Sequence, residues 1–135
     1  MGRNRSANGR VGGRLVGLAG TDRRLGQRMK RYEIYYARLE PVEGSEIGKI
    51  RPCVIVSLDA LNVALPTVVV CPLTTKLRPN WRSRLQVTSA GKPADICAEQ
   101  IRVLSKSRLT KKIGSLTKPE SMSLRQLLTE MYGEP

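Results

Sequence analysis

Two short apolar runs limit what this chain can fold into. Pro52-Cys53-Val54-Ile55-Val56 and Thr67-Val68-Val69-Val70-Cys71 are unbroken, of strand length and rich in β-branched side chains. The first is bounded by Pro and Ser, and the second is closed by Pro72. Runs of this kind belong in buried strands rather than on a helix with one wet face. A chain that carries two of them must build a sheet with a covered centre.

The neighbouring segments supply the rest of a mainly β design. Residues 32–39 are aromatic-rich and partly alternating, which predicts a strand. Pro41 and Gly44 open a polar loop that runs to Arg51. Ser57, Asp59 and Asn62 mark a turn or a single helical turn, with Ser57 and Asp59 as residues of N-cap type. Residues 83–88 alternate like one arm of a hairpin, with Gly91 and Pro93 turning the chain. Residues 94–104 predict one or two further strands, and 111–116 a short one.

The last element differs in kind. Thr117 and Glu120 have capping-box spacing, Pro119 suits a first helical turn, and Leu124, Leu127, Leu128 and Met131 follow at i, i+3, i+4, i+7. One amphipathic helix ending near Gly133 is expected to pack on the sheet. The fold class predicted is therefore mainly β with a C-terminal helix, a small and strongly bent sheet or barrel.

With 135 residues the chain suits one domain. It has no Phe, one Trp and 4 Tyr, so the core must be aliphatic. No apolar run approaches the ~20 residues of a membrane-spanning helix, so a protein without membrane contact is expected. The absence of His removes the commonest general base and zinc ligand, and no metal or cofactor is expected. Cys53, Cys71 and Cys97 form no C-x-x-C pair, and an odd count argues against a disulfide framework. The cytoplasm is the expected compartment, and the thiols are expected to be buried small hydrophobes.

The formal net charge of +13 points to a polyanionic partner, with nucleic acid as the default. Residues 1–28 hold 7 Arg and a single acid, Asp22, together with 7 of the 12 Gly. This composition cannot bury enough apolar surface to offset its ordering entropy, so 1–28 is expected to be a disordered leader and 29–135 the folded domain. Three readings of the leader stand: an RNA-contacting arm, a transit-like peptide, or translation assigned upstream of a true start at Met29. The third is the expectation adopted.

The densest chemical signal is Gly44-Ser45-Glu46-Ile47-Gly48-Lys49-Ile50-Arg51-Pro52. It delivers an Arg from a polar loop into the start of a buried strand, and Pro52 biases Arg51 toward an extended backbone. An Arg at a rigid sheet edge suits phosphate binding by charge-assisted hydrogen bonds. An Arg51–Glu46 ion pair that merely staples the loop explains the pattern equally well. Trp81 lies among Arg78, Arg82 and Arg84, a basic–aromatic cluster suited to stacking on a base and holding phosphates, or else to a lid on an aromatic-poor core.

Read together, these segments resemble the MazF/PemK family of toxin endoribonucleases from toxin–antitoxin systems. The resemblance rests on Glu33-Ile34-Tyr35-Tyr36, on the Gly44 to Pro52 segment, and on Val54-Ile55-Val56-Ser57 with Asp59-Ala60 and Asn62. It continues through Pro72-Leu73-Thr74-Thr75, Glu99-Gln100-Ile101-Arg102, Lys106-Ser107-Arg108-Leu109 and Lys112-Ile113-Gly114. Each motif is short; their order and spacing together are specific.

The resemblance implies an SH3-like barrel, a homodimer and metal-independent cleavage of single-stranded RNA. The 2′-hydroxyl would attack its own phosphate, leaving 2′,3′-cyclic phosphate and 5′-hydroxyl ends. Arg51 and Thr74 carry over as the principal catalytic residues, with Glu99 as a carboxylate that some relatives use. Ser45 and Glu46 are supporting residues. Lys49, Thr75, Arg78, Trp81, Arg82, Arg84 and Gln100 are the RNA-binding candidates. An antitoxin with an acidic tail is the implied protein partner, and DNA would be met only through it. Two departures stand out: Tyr32 where the family commonly has Gly, and Glu99 where many members have Asp. The competing readings are a non-catalytic nucleic-acid-binding module and a protein-directed toxin on the same fold.

Overall fold

The computed structural model describes residues 29–39 and 49–133; the leader 1–28 and the candidates Ser45 and Glu46 lie outside the described residues. Among the described residues seven strands form one curled antiparallel sheet: β1 (Glu33–Arg38), β2 (Ile50–Ile55), β3 (Thr67–Thr74), β4 (Arg84–Ser89), β5 (Lys92–Cys97), β6 (Arg102–Ser105) and β7 (Leu109–Ser115). Helix α1 (Asp59–Ala64) joins β2 to β3, and α2 (Lys118–Tyr132) closes the described chain. The sheet order is β4-β5-β3-β2-β1-β7, with β6 also paired to β3. This is the expected mainly β architecture, its strands predicted by the apolar runs and its C-terminal helix by the capping box and apolar spacing after Thr117.

β3 organises the sheet. One edge pairs with β2, from Cys53↔Pro72 to Ile55↔Val70. The other edge is shared: β6 takes residues 67–70, and β5 takes Leu73 and Thr74. One strand serving two partners on the same edge forces the sheet to curl. Pro72 does not close the strand as its sequence position suggests. It sits inside β3, just where neither β5 nor β6 is paired to it, so a missing N–H is tolerated.

Both faces of the central strands are buried, which is why their sequences are unbroken apolar runs. One face carries Ile34, Val54, Cys71, Leu73, Ala94 and Ile96, packed against Leu124 of α2. The opposite face carries Tyr35, Ala37, Cys53, Ile55, Val68 and Val70, packed with Met29 and Leu104. In a pleated strand i and i+2 share a face. Arg51 and Thr74 therefore continue the second face, two residues beyond Cys53 and Pro72.

Several local expectations are refined. Neither Ser57 nor Asp59 caps α1; the N-cap is Leu58, without a side-chain bond. Ser57 Oγ instead donates to Asn62 Oδ1 (2.6 Å) and accepts the Val69 N–H (3.0 Å), tying the turn to β3. The β4–β5 turn is Ala90-Gly91, with φ of 53° and 79°, so Pro93 lies within β5 rather than in the turn. This backbone has the positive φ at both central residues that a tight type I′ hairpin requires. Residues 94–104 contribute to two strands, separated by a 3-10 turn at Ala98–Gln100. At α2 the Thr117–Glu120 capping box forms in full.

Tyr32, immediately before β1, has φ of 74°. A left-handed backbone strains any residue with a Cβ. It is held there by Tyr32 N–H to Ile55 O (2.6 Å) and Leu116 N–H to Tyr32 O (2.9 Å). Its ring packs on the first core, and β1 begins at the next residue.

Candidate functional site

The β2–β3 register defines the site. Extending the Cys53↔Pro72 pairing by two residues sets Arg51 against Thr74 on neighbouring strands, both half-buried. They line two adjoining hollows. The smaller, about 260 Å³, is walled by Arg51, Thr74, Lys76, Arg78, Trp81, Arg84 and Gln100, with Leu39 and Cys97 among its apolar lining. The larger, about 620 Å³, adds Lys49, Thr75 and Lys92 to Arg51 and Thr74. Arg51 and Thr74 thus stand at the junction of one elongated basic cleft.

Thr74 also faces β5, where its register partner is Asp95. Thr74 Oγ1 accepts the Lys76 N–H at 3.1 Å, which leaves the hydroxyl proton available to a ligand. Asp95 is almost fully buried, and its Oδ2 accepts the Arg78 N–H at 2.7 Å. That bond pins the loop after β3 to the sheet. Trp81 N–H to Arg78 O (3.1 Å) and Arg84 N–H to Trp81 O (3.3 Å) make the loop a series of tight turns.

Arg84 and Glu99 form a multidentate ion pair beside the cleft. Arg84 Nε lies 2.9 Å from Glu99 Oε2 and 3.2 Å from Oε1, and Nη2 lies 2.9 Å from Oε2. Its Nη1 lies 3.6 Å from Asp95 Oδ2, and its guanidinium carbon is 4.5 Å from the Trp81 ring centre. Partial burial works against ionising Glu99. Hydrogen bonds from Arg84 and Ser83 and its own backbone outweigh this and hold the carboxyl below its ordinary range. The Glu99 hydrogen bond in turn raises Arg84.

The sequence candidates therefore divide. Arg51, Thr74, Thr75, Lys49, Arg78, Trp81, Arg84 and Gln100 are brought to the cleft. Arg82 is not; it projects to α2 and pairs with Glu130 at 2.6 Å. Glu99 is not among the lining residues, its carboxylate being occupied by Arg84. Lys76, Lys92 and Asp95 were missed. Lys92 and Asp95 are brought there by the β3–β5 pairing, whereas Lys76 follows Thr74 directly and its N–H bonds Thr74 Oγ1; in the sequence each is only a charge in or beside a strand.

The cysteines are buried, and desolvation pushes Cys53 and Cys71 up to about 12 and raises Cys97. They remain thiols and make poor nucleophiles. Among the described residues no three His, Cys, Asp or Glu side chains converge as a metal site would need. No described helix is long and apolar enough to cross a membrane.

Comparison with known proteins gives a consistent picture. Residues 30–132 match the family described as PemK-like, MazF-like toxin of type II toxin–antitoxin system. Endoribonuclease MazF of Staphylococcus saprophyticus is 37% identical over 94 residues, covering 66% of this chain and 78% of that protein. Endoribonuclease MazF of Staphylococcus epidermidis is 33% identical over 110 residues, covering 78% and 92%. Among solved structures, a MazE–MazF crystal structure from Deinococcus radiodurans superposes with a TM-score of 0.68 at 19% identity, covering 78% of this chain and 96% of that one. A mycobacterial endoribonuclease in complex with its cognate antitoxin gives 0.66 at 23% identity, covering 78% and 96%.

Proposed function

This chain belongs to the PemK-like and MazF-like toxins of type II toxin–antitoxin systems, and on that footing we propose that it is an endoribonuclease cutting single-stranded RNA at Arg51 and Thr74. The observation that carries the reading is their placement together on one sheet face, at the junction of a basic cleft.

Cleavage through the RNA's own 2′-hydroxyl makes three demands on the protein: removing that proton, stabilising a crowded dianionic phosphorane, and protonating the departing 5′-oxygen. Arg51 meets the second, since a guanidinium fork matches two phosphoryl oxygens and acts best where water is partly excluded. Thr74 adds a hydroxyl donor whose acceptor side is already satisfied by Lys76 N–H. Charge stabilisation of this kind needs no metal. The products would be 2′,3′-cyclic phosphate and 5′-hydroxyl ends. Lys49, Thr75, Lys76, Arg78 and Gln100 line the path for the flanking backbone, and Trp81 offers a ring to an unpaired base.

The same cleft suits an acidic antitoxin tail, which would compete with RNA for its cations. A homodimer that works in the cytoplasm and meets DNA only through the antitoxin completes the reading. The test is to incubate the purified chain with long single-stranded RNAs in EDTA, beside an Arg51→Ala variant shown to be folded by circular dichroism. Discrete fragments with cyclic-phosphate ends in the wild-type lane alone are expected. RNA that is bound yet intact in both lanes across several sequences would replace this reading with that of a nucleic-acid-binding module.

A further inference from the structure

The cleft wall formed by Trp81 rests on an ion-pair system that the catalytic reading leaves unused. Arg84 has a side chain only 8% exposed although it lines the cleft. Its guanidinium is engaged by Glu99 at 2.9 Å, approaches Asp95 at 3.6 Å and lies 4.5 Å from the Trp81 ring centre. An arginine facing two carboxylates has little net charge left to offer a phosphate. It is instead held rigidly against an indole that remains 48% exposed.

We infer that Glu99 and Arg84 are positioning residues which act through Trp81, holding its ring as a preformed stacking surface for an unpaired base of the RNA. This rests on the ribonuclease reading above and assigns Glu99 a role other than proton transfer. Arg78 complements the arrangement. Its guanidinium lies 5.4 Å from the same ring, but its side chain is exposed while its backbone is pinned by Asp95. Arg78 can leave the ring to an incoming base without moving the loop, whereas Arg84 cannot. A ring fixed before binding loses less conformational entropy on stacking, so the brace acts on affinity more than on the chemical step.

Trp81 is the only Trp, so intrinsic fluorescence reports its surroundings directly. Arg84→Gln, Glu99→Gln, Trp81→Ala and the double variant Arg84→Gln/Trp81→Ala are compared with wild type. The readouts are emission maximum, acrylamide quenching, quenching by a 2′-O-methyl oligoribonucleotide, and KM and kcat on a cleavable RNA. Expected for both Gln variants are a red-shifted, more quenchable Trp81, a KM raised about tenfold, and a kcat within about threefold of wild type. The double variant should be no worse than Trp81→Ala, whose exposed side chain can be removed without opening the core.

A collapse of kcat in Glu99→Gln, with unchanged KM and emission, would overturn the inference and make Glu99 a proton-transfer group. Identical emission and quenching in Arg84→Gln and wild type would also overturn it. If wild type cuts no RNA, the ribonuclease reading fails by itself. The fluorescence comparison still decides whether the brace exists, and oligonucleotide quenching whether it serves a base.

Discussion

Arg51 and Thr74 occupy positions two residues beyond the Cys53↔Pro72 pair on adjacent antiparallel strands, and so present their side chains on one face of the sheet. Their separation in sequence is irrelevant to this. What sets it is the β2–β3 register, and a slip of one residue would send one of them to the opposite face.

In the proposed reaction Thr74 acts through its hydroxyl, so Thr74→Ser should keep most of the activity while Thr74→Val should lose about a hundredfold in kcat. Both variants should unfold near the wild-type urea midpoint, because the side chain is only half-buried. Steady-state cleavage of one RNA substrate is the check, and equal activity in Ser and Val would remove Thr74 from the chemistry.

The Arg84–Glu99 pair predicts a pH-dependent stability. Glu99 is held below its ordinary value of 4.5, first against the opposition of burial and then by the Arg84 hydrogen bond. A carboxyl depressed in the folded state binds fewer protons there than in the unfolded chain. Its contribution is therefore complete above about 4.5 and is lost as pH falls through the lower folded value. Wild type should exceed Glu99→Gln by about 1–3 kcal/mol near neutrality, with the gap closing in acid. Urea unfolding across a pH series measures it; a constant gap would contradict the assignment.

Tyr32 predicts an inverted alanine–glycine order. At most strand-edge positions Gly is the less stable residue, because it loses more freedom on folding. At φ of 74° the Cβ of Ala is itself strained, so Tyr32→Gly should be more stable than Tyr32→Ala by about 1 kcal/mol. Both should fall below wild type, whose ring packs on the core. Thermal or urea denaturation of the three proteins decides the order.

Helix α2 is fastened at its start and at its centre. Thr117 Oγ1 accepts the Glu120 N–H at 3.2 Å and Glu120 Oε1 accepts the Thr117 N–H at 2.8 Å. Thr117→Ala should cost about 1 kcal/mol. Leu124 is completely buried in the first core, and Leu124→Ala should cost about 2–5 kcal/mol. Denaturant unfolding should show that ranking; comparable losses would mean that α2 is held chiefly by its cap.

Much of the architecture was legible because it is local. The runs around Val54 and Val69 declared buried strands, and Thr117 with Glu120 declared the start of α2. Pro93 misled because a proline beside a glycine suggests a turn, whereas Ala90 and Gly91 supply both positive φ angles and free Pro93 to enter β5. Ser57 misled because a hydroxyl before a helix suggests a cap, whereas β3 presents it with the Val69 N–H. For Ser57 a partner from another strand overrode the local preference; for Pro93 a neighbouring residue pair took the turn instead.

The sequence by itself determined the aliphatic core, the strand-forming runs, the capped helix and a cationic surface, since each follows from side-chain volume, branching or charge along a continuous stretch. It also placed Arg51 at the start of a buried strand. Only the tertiary structure decided that Arg51 meets Thr74, that Asp95 anchors the Arg78 loop, and that Glu99 is engaged by Arg84. Those relationships depend on strand register and on which face each pleat turns outward. With both faces of the central strands buried, their apolar runs carry no alternation from which those faces could be read.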